Sequence, residues 1–87
     1  MSYSNSGLYI ISVAARLANV HPRTLRIYEA EGLISPTRTQ GNIRLYCDKD
    51  IKKVTYIRYL TQEKGVNLAG VKIILELKER LGELEEF

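Results

Sequence analysis

Arg23 and Arg26 stand three residues apart in the stretch HPRTLRIYEAEGL, residues 21–33. At that spacing two guanidinium groups share one face of a helix, and each can donate paired hydrogen bonds to a guanine edge or grip a phosphate. The stretch carries helix boundaries. His21 stands at the N-cap position and Pro22 at the first helical position, where its missing N–H costs little; Gly32 is placed to end the helix in a left-handed conformation. On a wheel of about 100° per residue, Arg23, Arg26, Ile27 and Ala30 fall in one sector. Thr24, Leu25 and Tyr28 fall opposite or at its flank. Ala30 occupies the place four residues after Arg26 where a carboxylate would stabilise it, and Glu29 and Glu31 point elsewhere. The two arginines are therefore expected to be unneutralised within their helix. Thr24, near the helix start, is placed to bond a phosphate. The competing reading is a solvated pair of surface arginines, and the surrounding elements decide between the two.

A preceding helix is expected over 13–18, capped by Ser12 and carrying an apolar stripe of Val13, Ala14, Leu17 and Ala18. Arg16 on that helix is a further candidate for DNA contact. The segment ANV makes a tight connection, and Val20 and Leu25 have the spacing of a hydrophobic staple. Two short helices so joined form a helix-turn-helix, whose second helix enters the major groove. In ISPTRTQGNIRLY, Pro36 forbids helix, the threonines and Ile43 favour strand, and QGN reads as a turn. A two-stranded hairpin over 37–39 and 43–46 follows, with Ile43 and Leu45 on one face and Arg44 and Tyr46 on the other. Arg38 lies on the partner strand. A basic hairpin beside a recognition helix suits a wing that holds the neighbouring DNA backbone. Tyr46 joins the candidates, with packing under the hairpin as its alternative.

Asp48 and Asp50 favour the start of a helix over 48–63 with an apolar face of Ile51, Val54, Ile57 and Leu60. Gly65 breaks it, and Asn67 can cap a last helix over 68–85. The order helix, helix, hairpin, helix, helix gives a mainly α fold with a small β-hairpin, a winged helix-turn-helix. The expected division is a flexible N-terminal segment at 1–8, the winged domain at 9–66, and a C-terminal helix at 67–87 that begins a dimerisation coiled coil. Leu77, Leu81, Leu84 and Phe87 offer a seam, or else fold back on the core. One or two heptads make a weak coiled coil, so the chain alone is expected to be monomeric or weakly dimeric.

The 87 residues carry a net charge of +3. Residues 1–66 hold ten Lys/Arg and five Asp/Glu, a net +5, whereas 67–87 hold three and five, a net −2. The basic part suits a polyanion. The apolar runs are too short for a membrane span, and MSYSNSG has neither the basic start nor the apolar core of a secretion signal. The single cysteine, Cys47, excludes an internal disulfide and a multi-cysteine metal site. Cytoplasmic residence is expected. His21 stands alone, and no Ser/His/Asp or paired-carboxylate arrangement with a credible pocket is present, so no enzyme, metal or cofactor is expected.

The stretch ISVAARLANVHPRTLRIYEAEGLISPTRTQGNIRLYCDKDI resembles the N-terminal DNA-binding domain of MerR-type transcription regulators. The resemblance rests on the recognition-helix pattern from Arg23 to Leu33, on SPTR leading into the wing, on Gly41, Arg44 and Tyr46, and on the D-x-D-I opening of the third helix. It covers about residues 9–77. Within that family, GVNLAGVKIIL and YIISVAARLANVHP look most like the HspR-type heat-shock repressors. The resemblance implies binding to an inverted-repeat operator as a homodimer, with Arg23, Thr24, Arg26 and Tyr28 meeting DNA from the recognition helix and Arg44 from the wing. It implies repression of chaperone genes, with the chaperone DnaK as co-repressor. Ile27 departs from the family pattern, in which an aromatic is frequent there. As the sequence ends at Phe87, no effector domain is expected.

Two other classes remain open at this level. An excisionase-like architectural factor uses a similar small winged domain to bend DNA, and the position of its sites, at an attachment site rather than a promoter, separates it. A protein-interaction module that has lost DNA binding would work through the apolar tail, and the unpaired arginines count against it.

Overall fold

The helix boundaries follow from local chemistry. The Nδ1 of His21 accepts a hydrogen bond of 2.9 Å from the Arg23 N–H and caps the helix that begins at Pro22. At its far end Gly32 has φ +77°. There the Gly32 N–H bonds the Glu29 carbonyl and the Leu33 N–H bonds the Tyr28 carbonyl, a left-handed cap that suits a residue without Cβ. Asn67 likewise accepts from the Gly70 N–H at 2.8 Å. Asp50 accepts from the Cys47 N–H at 3.0 Å at the start of the third helix.

The computed structural model describes residues 7–82. In chain order the elements are β1 (Leu8–Tyr9), α1 (Ile11–Ala18), α2 (Pro22–Ala30), β2 (Thr37–Arg38), β3 (Arg44–Cys47), α3 (Asp48–Gln62) and α4 (Leu68–Arg80). The fold is mainly helical, with a small antiparallel sheet ordered β1-β3-β2. The expected hairpin is present as β2 and β3. Its three-residue loop Gln40-Gly41-Asn42 is closed by the Thr39 N–H to the Ile43 carbonyl at 3.0 Å. Asn42, at φ +64°, takes the left-handed position rather than Gly41.

Several expectations change. The first helix begins at Ile11, not at 13, with Ile10 at its N-cap, so Ser12 lies inside the helix and caps nothing. The reason is β1: Leu8 pairs with Cys47 and Tyr9 with Tyr46, and the extended strand runs straight into the helix. Leu8 therefore belongs to the sheet rather than to a flexible leader, and residues 1–6 of that expected segment lie outside the described residues. The Tyr9 hydroxyl donates to Asp48 Oδ1 at 2.6 Å and fastens this strand to the start of α3. The buried face of α1 is Ala14, Ala15 and Ala18, while Val13 and Leu17 are exposed. Small residues let α1 lie close against its neighbours, and the bulky pair turns outward. The last helix stops at Arg80, where Gly82 at φ +74° follows the cap residue Leu81.

The core joins α1 through these alanines to Leu25, Tyr28, Leu33, Tyr46, Val54, Ile57, Val71 and Leu75. The α3 stripe is buried as expected at Val54, Ile57 and Leu60, with Ile51 partly covered. Leu77 and Leu81 are exposed on α4 and beyond its end, and the other two seam candidates, Leu84 and Phe87, lie outside the described residues. Among the described residues no helix is long and apolar enough to cross a membrane.

Candidate nucleic-acid interface

α2 divides cleanly into two faces. Leu25 and Tyr28 are buried, whereas Arg23, Arg26, Ile27 and Ala30 are all exposed, as the helical wheel predicts. Thr24 is half-buried near the helix start. Arg16 is exposed on the neighbouring α1. Among the described residues the side chains of Arg16, Arg23 and Arg26 have no carboxylate partner. Three full positive charges thus stand on the helix-turn-helix, two of them on one face of its second helix. Such a face presents fork-shaped donors to any polyanion that approaches it.

The wing is organised differently from the expectation. Its two arginines are not free. Arg44 Nε donates to Glu29 Oε1 at 2.6 Å, and Arg38 Nη2 donates to Glu29 Oε2 at 2.8 Å. Arg38 Nη1 also donates to Asn42 Oδ1 at 3.1 Å across the hairpin loop. One carboxylate on α2 therefore holds both wing arginines and fixes the hairpin to the recognition helix. The hydrogen bonds from Arg44, then from Arg38, keep the Glu29 carboxyl below its ordinary range, and the same contact raises the Arg44 pKa. Each guanidinium keeps further N–H donors beyond those Glu29 uses.

Sequence reasoning missed Glu29, although a signal was present. The register places Arg38 directly opposite Arg44, and like charges in that position repel unless an anion lies between them. The loop QGN sets that register, so the need for a nearby carboxylate was readable in principle.

Both tyrosine candidates move from the interface to the core. Tyr46 is 0% exposed, and its hydroxyl is buried with no hydrogen-bond partner among the described residues. Strand alternation correctly puts Arg44 and Tyr46 on one face, but that face is turned toward the helices, leaving Ile43 exposed on the other. Tyr46 is thus a packing residue rather than a phosphate ligand. Tyr28 is 6% exposed, with its hydroxyl near Thr61 and Arg58 of α3. Burial pushes the pKa of both hydroxyls up. Tyr28 therefore packs its ring behind the second helix, on the face opposite Arg23 and Arg26. Cys47 is a free, half-buried thiol at the start of α3, and the described residues contain no group of three or more His, Cys, Asp or Glu side chains that could hold a metal ion.

The family model described as MerR HTH family regulatory protein matches residues 9–78. The chain is 47% identical over 78 residues to the Streptomyces coelicolor protein named heat shock protein HspR, covering 90% of this chain and 52% of that protein. It is 40% identical over 72 residues to the Bacillus cereus HTH-type transcriptional regulator GlnR, covering 83% of this chain and 55% of that one. The chain thus spans about half the length of these curated relatives. Its structure is similar to a crystal structure of HiNmlR, a MerR family regulator lacking the sensor domain and bound to promoter DNA. The TM-score is 0.75 and the identity 27%, over 92% of this chain and 67% of that one. With the family match running from β1 through most of α4, the chain belongs to the MerR HTH family of transcription regulators.

Proposed function

We propose that this chain is the DNA-reading part of a repressor of heat-shock and chaperone genes. α2 enters the major groove of an inverted-repeat operator. Arg23 and Arg26 read or grip the groove, and Thr24 bonds a phosphate near the helix start. Arg16 adds a phosphate contact from α1. Arg38 and Arg44 hold the flanking backbone from the wing with the donors that Glu29 leaves unused. Two copies bind the two half-sites and meet through their C-terminal helices, where Leu77 and Leu81 are exposed, and the chaperone DnaK acts as co-repressor.

The observation that carries this reading is that Arg23 and Arg26 are exposed on one face of the second helix and have no carboxylate partner among the described residues. The likeness to a heat shock protein HspR and to a regulator bound to promoter DNA supports it. The test is recovery of genomic fragments bound by the protein, with and without added DnaK. Fragments sharing an inverted repeat over chaperone promoters, retained more strongly with the chaperone, are the expected result. Recovery of attachment sites, or of fragments with no common sequence, would contradict it.

A further inference from the structure

We infer that Ile27 reads the 5-methyl group of a thymine in the major groove, which makes it a specificity-determining residue of the recognition helix. The inference rests on the DNA-binding reading above. Ile27 is 43% exposed in the middle of α2, in the same exposed sector as Arg23, Arg26 and Ala30. Nothing among the described residues accounts for an isoleucine there. It is not among the side chains packed on the core, a role filled on the opposite face by Leu25 and Tyr28. As a β-branched residue it favours the helix less than alanine, leucine or arginine would.

Its neighbours determine what can cover it. Among the described residues the two cations of this sector have no carboxylate partners, so its partner is a polyanion rather than an apolar protein face. The apolar group that double-stranded DNA offers in the major groove is the thymine methyl, the natural contact for an aliphatic side chain on a recognition helix. The spacing fits as well. Ile27 lies about 6 Å along the helix axis from Arg23 and about 1.5 Å from Arg26. A thymine met by Ile27 therefore falls within about two base pairs of whatever base or phosphate the arginines engage, at a rise of about 3.4 Å per pair.

The test replaces each operator thymine in turn by deoxyuridine, which keeps the Watson–Crick pair and removes only the methyl group. Affinity is measured for the wild-type chain and for Ile27→Ala and Ile27→Val. One thymine per half-site should show an effect, about fourfold when one half-site is changed and about fifteenfold when both are, from the transfer free energy of a single methyl group. Ile27→Ala should bind the thymine operator more weakly and lose the sensitivity to deoxyuridine, while Ile27→Val keeps part of it. Unchanged circular dichroism in both variants shows that the fold is intact. A wild-type chain indifferent to every thymine replacement, or an Ile27→Ala variant as sensitive as wild type, overturns the inference. In either of those cases specific binding persists and the DNA-binding reading stands. Absence of any specific binding by the wild-type chain removes both.

Discussion

Glu29→Gln should make binding to unrelated duplex DNA more salt-dependent. Glu29 holds Arg38 and Arg44 at 2.8 and 2.6 Å, so the wing carries two cations and one anion, a single net positive charge. Arg16, Arg23 and Arg26 are exposed and without carboxylate partners among the described residues, and each counts in full. Four net charges per domain against phosphate give a slope of about −3.6 in log K against log salt. Replacing Glu29 by its neutral isostere frees the fifth charge and steepens the slope to about −4.5. Contacts from lysines elsewhere shift both values together and leave the difference of about 0.9 intact. The assay is fluorescence anisotropy of a labelled duplex lacking the operator, titrated at several potassium chloride concentrations. On the operator itself the same variant should bind more weakly relative to unrelated DNA, because the wing is no longer fixed to α2. An unchanged or shallower slope would refute the idea that one carboxylate offsets the wing arginines at the DNA surface.

Three further outcomes follow from the same geometry. Tyr46→Phe should raise stability by about 1 kcal/mol or more in urea denaturation, since it removes a buried hydroxyl that lacks a partner, and it should leave DNA affinity unchanged; weaker DNA binding would return Tyr46 to the interface. The Glu29 carboxyl, followed by carbon-13 NMR, should titrate below its ordinary value of 4.5. Because the folded value is lowered, the clamp contributes fully above the unfolded value and is lost as the pH falls through the folded one, and a midpoint at or above 4.5 would contradict the two ion pairs. Arg44→Ala should weaken operator and unrelated sequences by similar factors, measured by competition, because its role is with the backbone.

What the sequence revealed was chiefly what neighbouring residues decide. The caps at His21, Gly32 and Asn67 depend on hydrogen bonds spanning two to five residues, so they are visible in the local string. The α3 stripe and the two faces of α2 follow from helical periodicity alone. Long-range pairing was the blind spot. Leu8–Tyr9 is a strand only because Cys47 and Tyr46 lie beside it, and two residues have no periodicity to read. Alternation in β3 separated Arg44 and Tyr46 from Ile43 and Leu45 but did not say which face met the helices. The expected stripe on α1 was right at Ala14 and Ala18 but included Val13 and Leu17, whereas close helix packing buries Ala15 and turns that bulky pair outward. Glu29 looked idle on its own helix because its partners sit 9 and 15 residues away on the wing.

The most direct test of the central claim compares Arg23→Ala, Arg26→Ala and the double variant with wild type on a recovered operator and on unrelated duplex of equal length. If these side chains face the groove, each single change costs about 1–3 kcal/mol on the operator wherever that arginine reads a base, and the double variant discriminates poorly between the two DNAs. Wild-type affinity and discrimination in all three variants would show that the exposed face of α2 is not the surface that meets DNA.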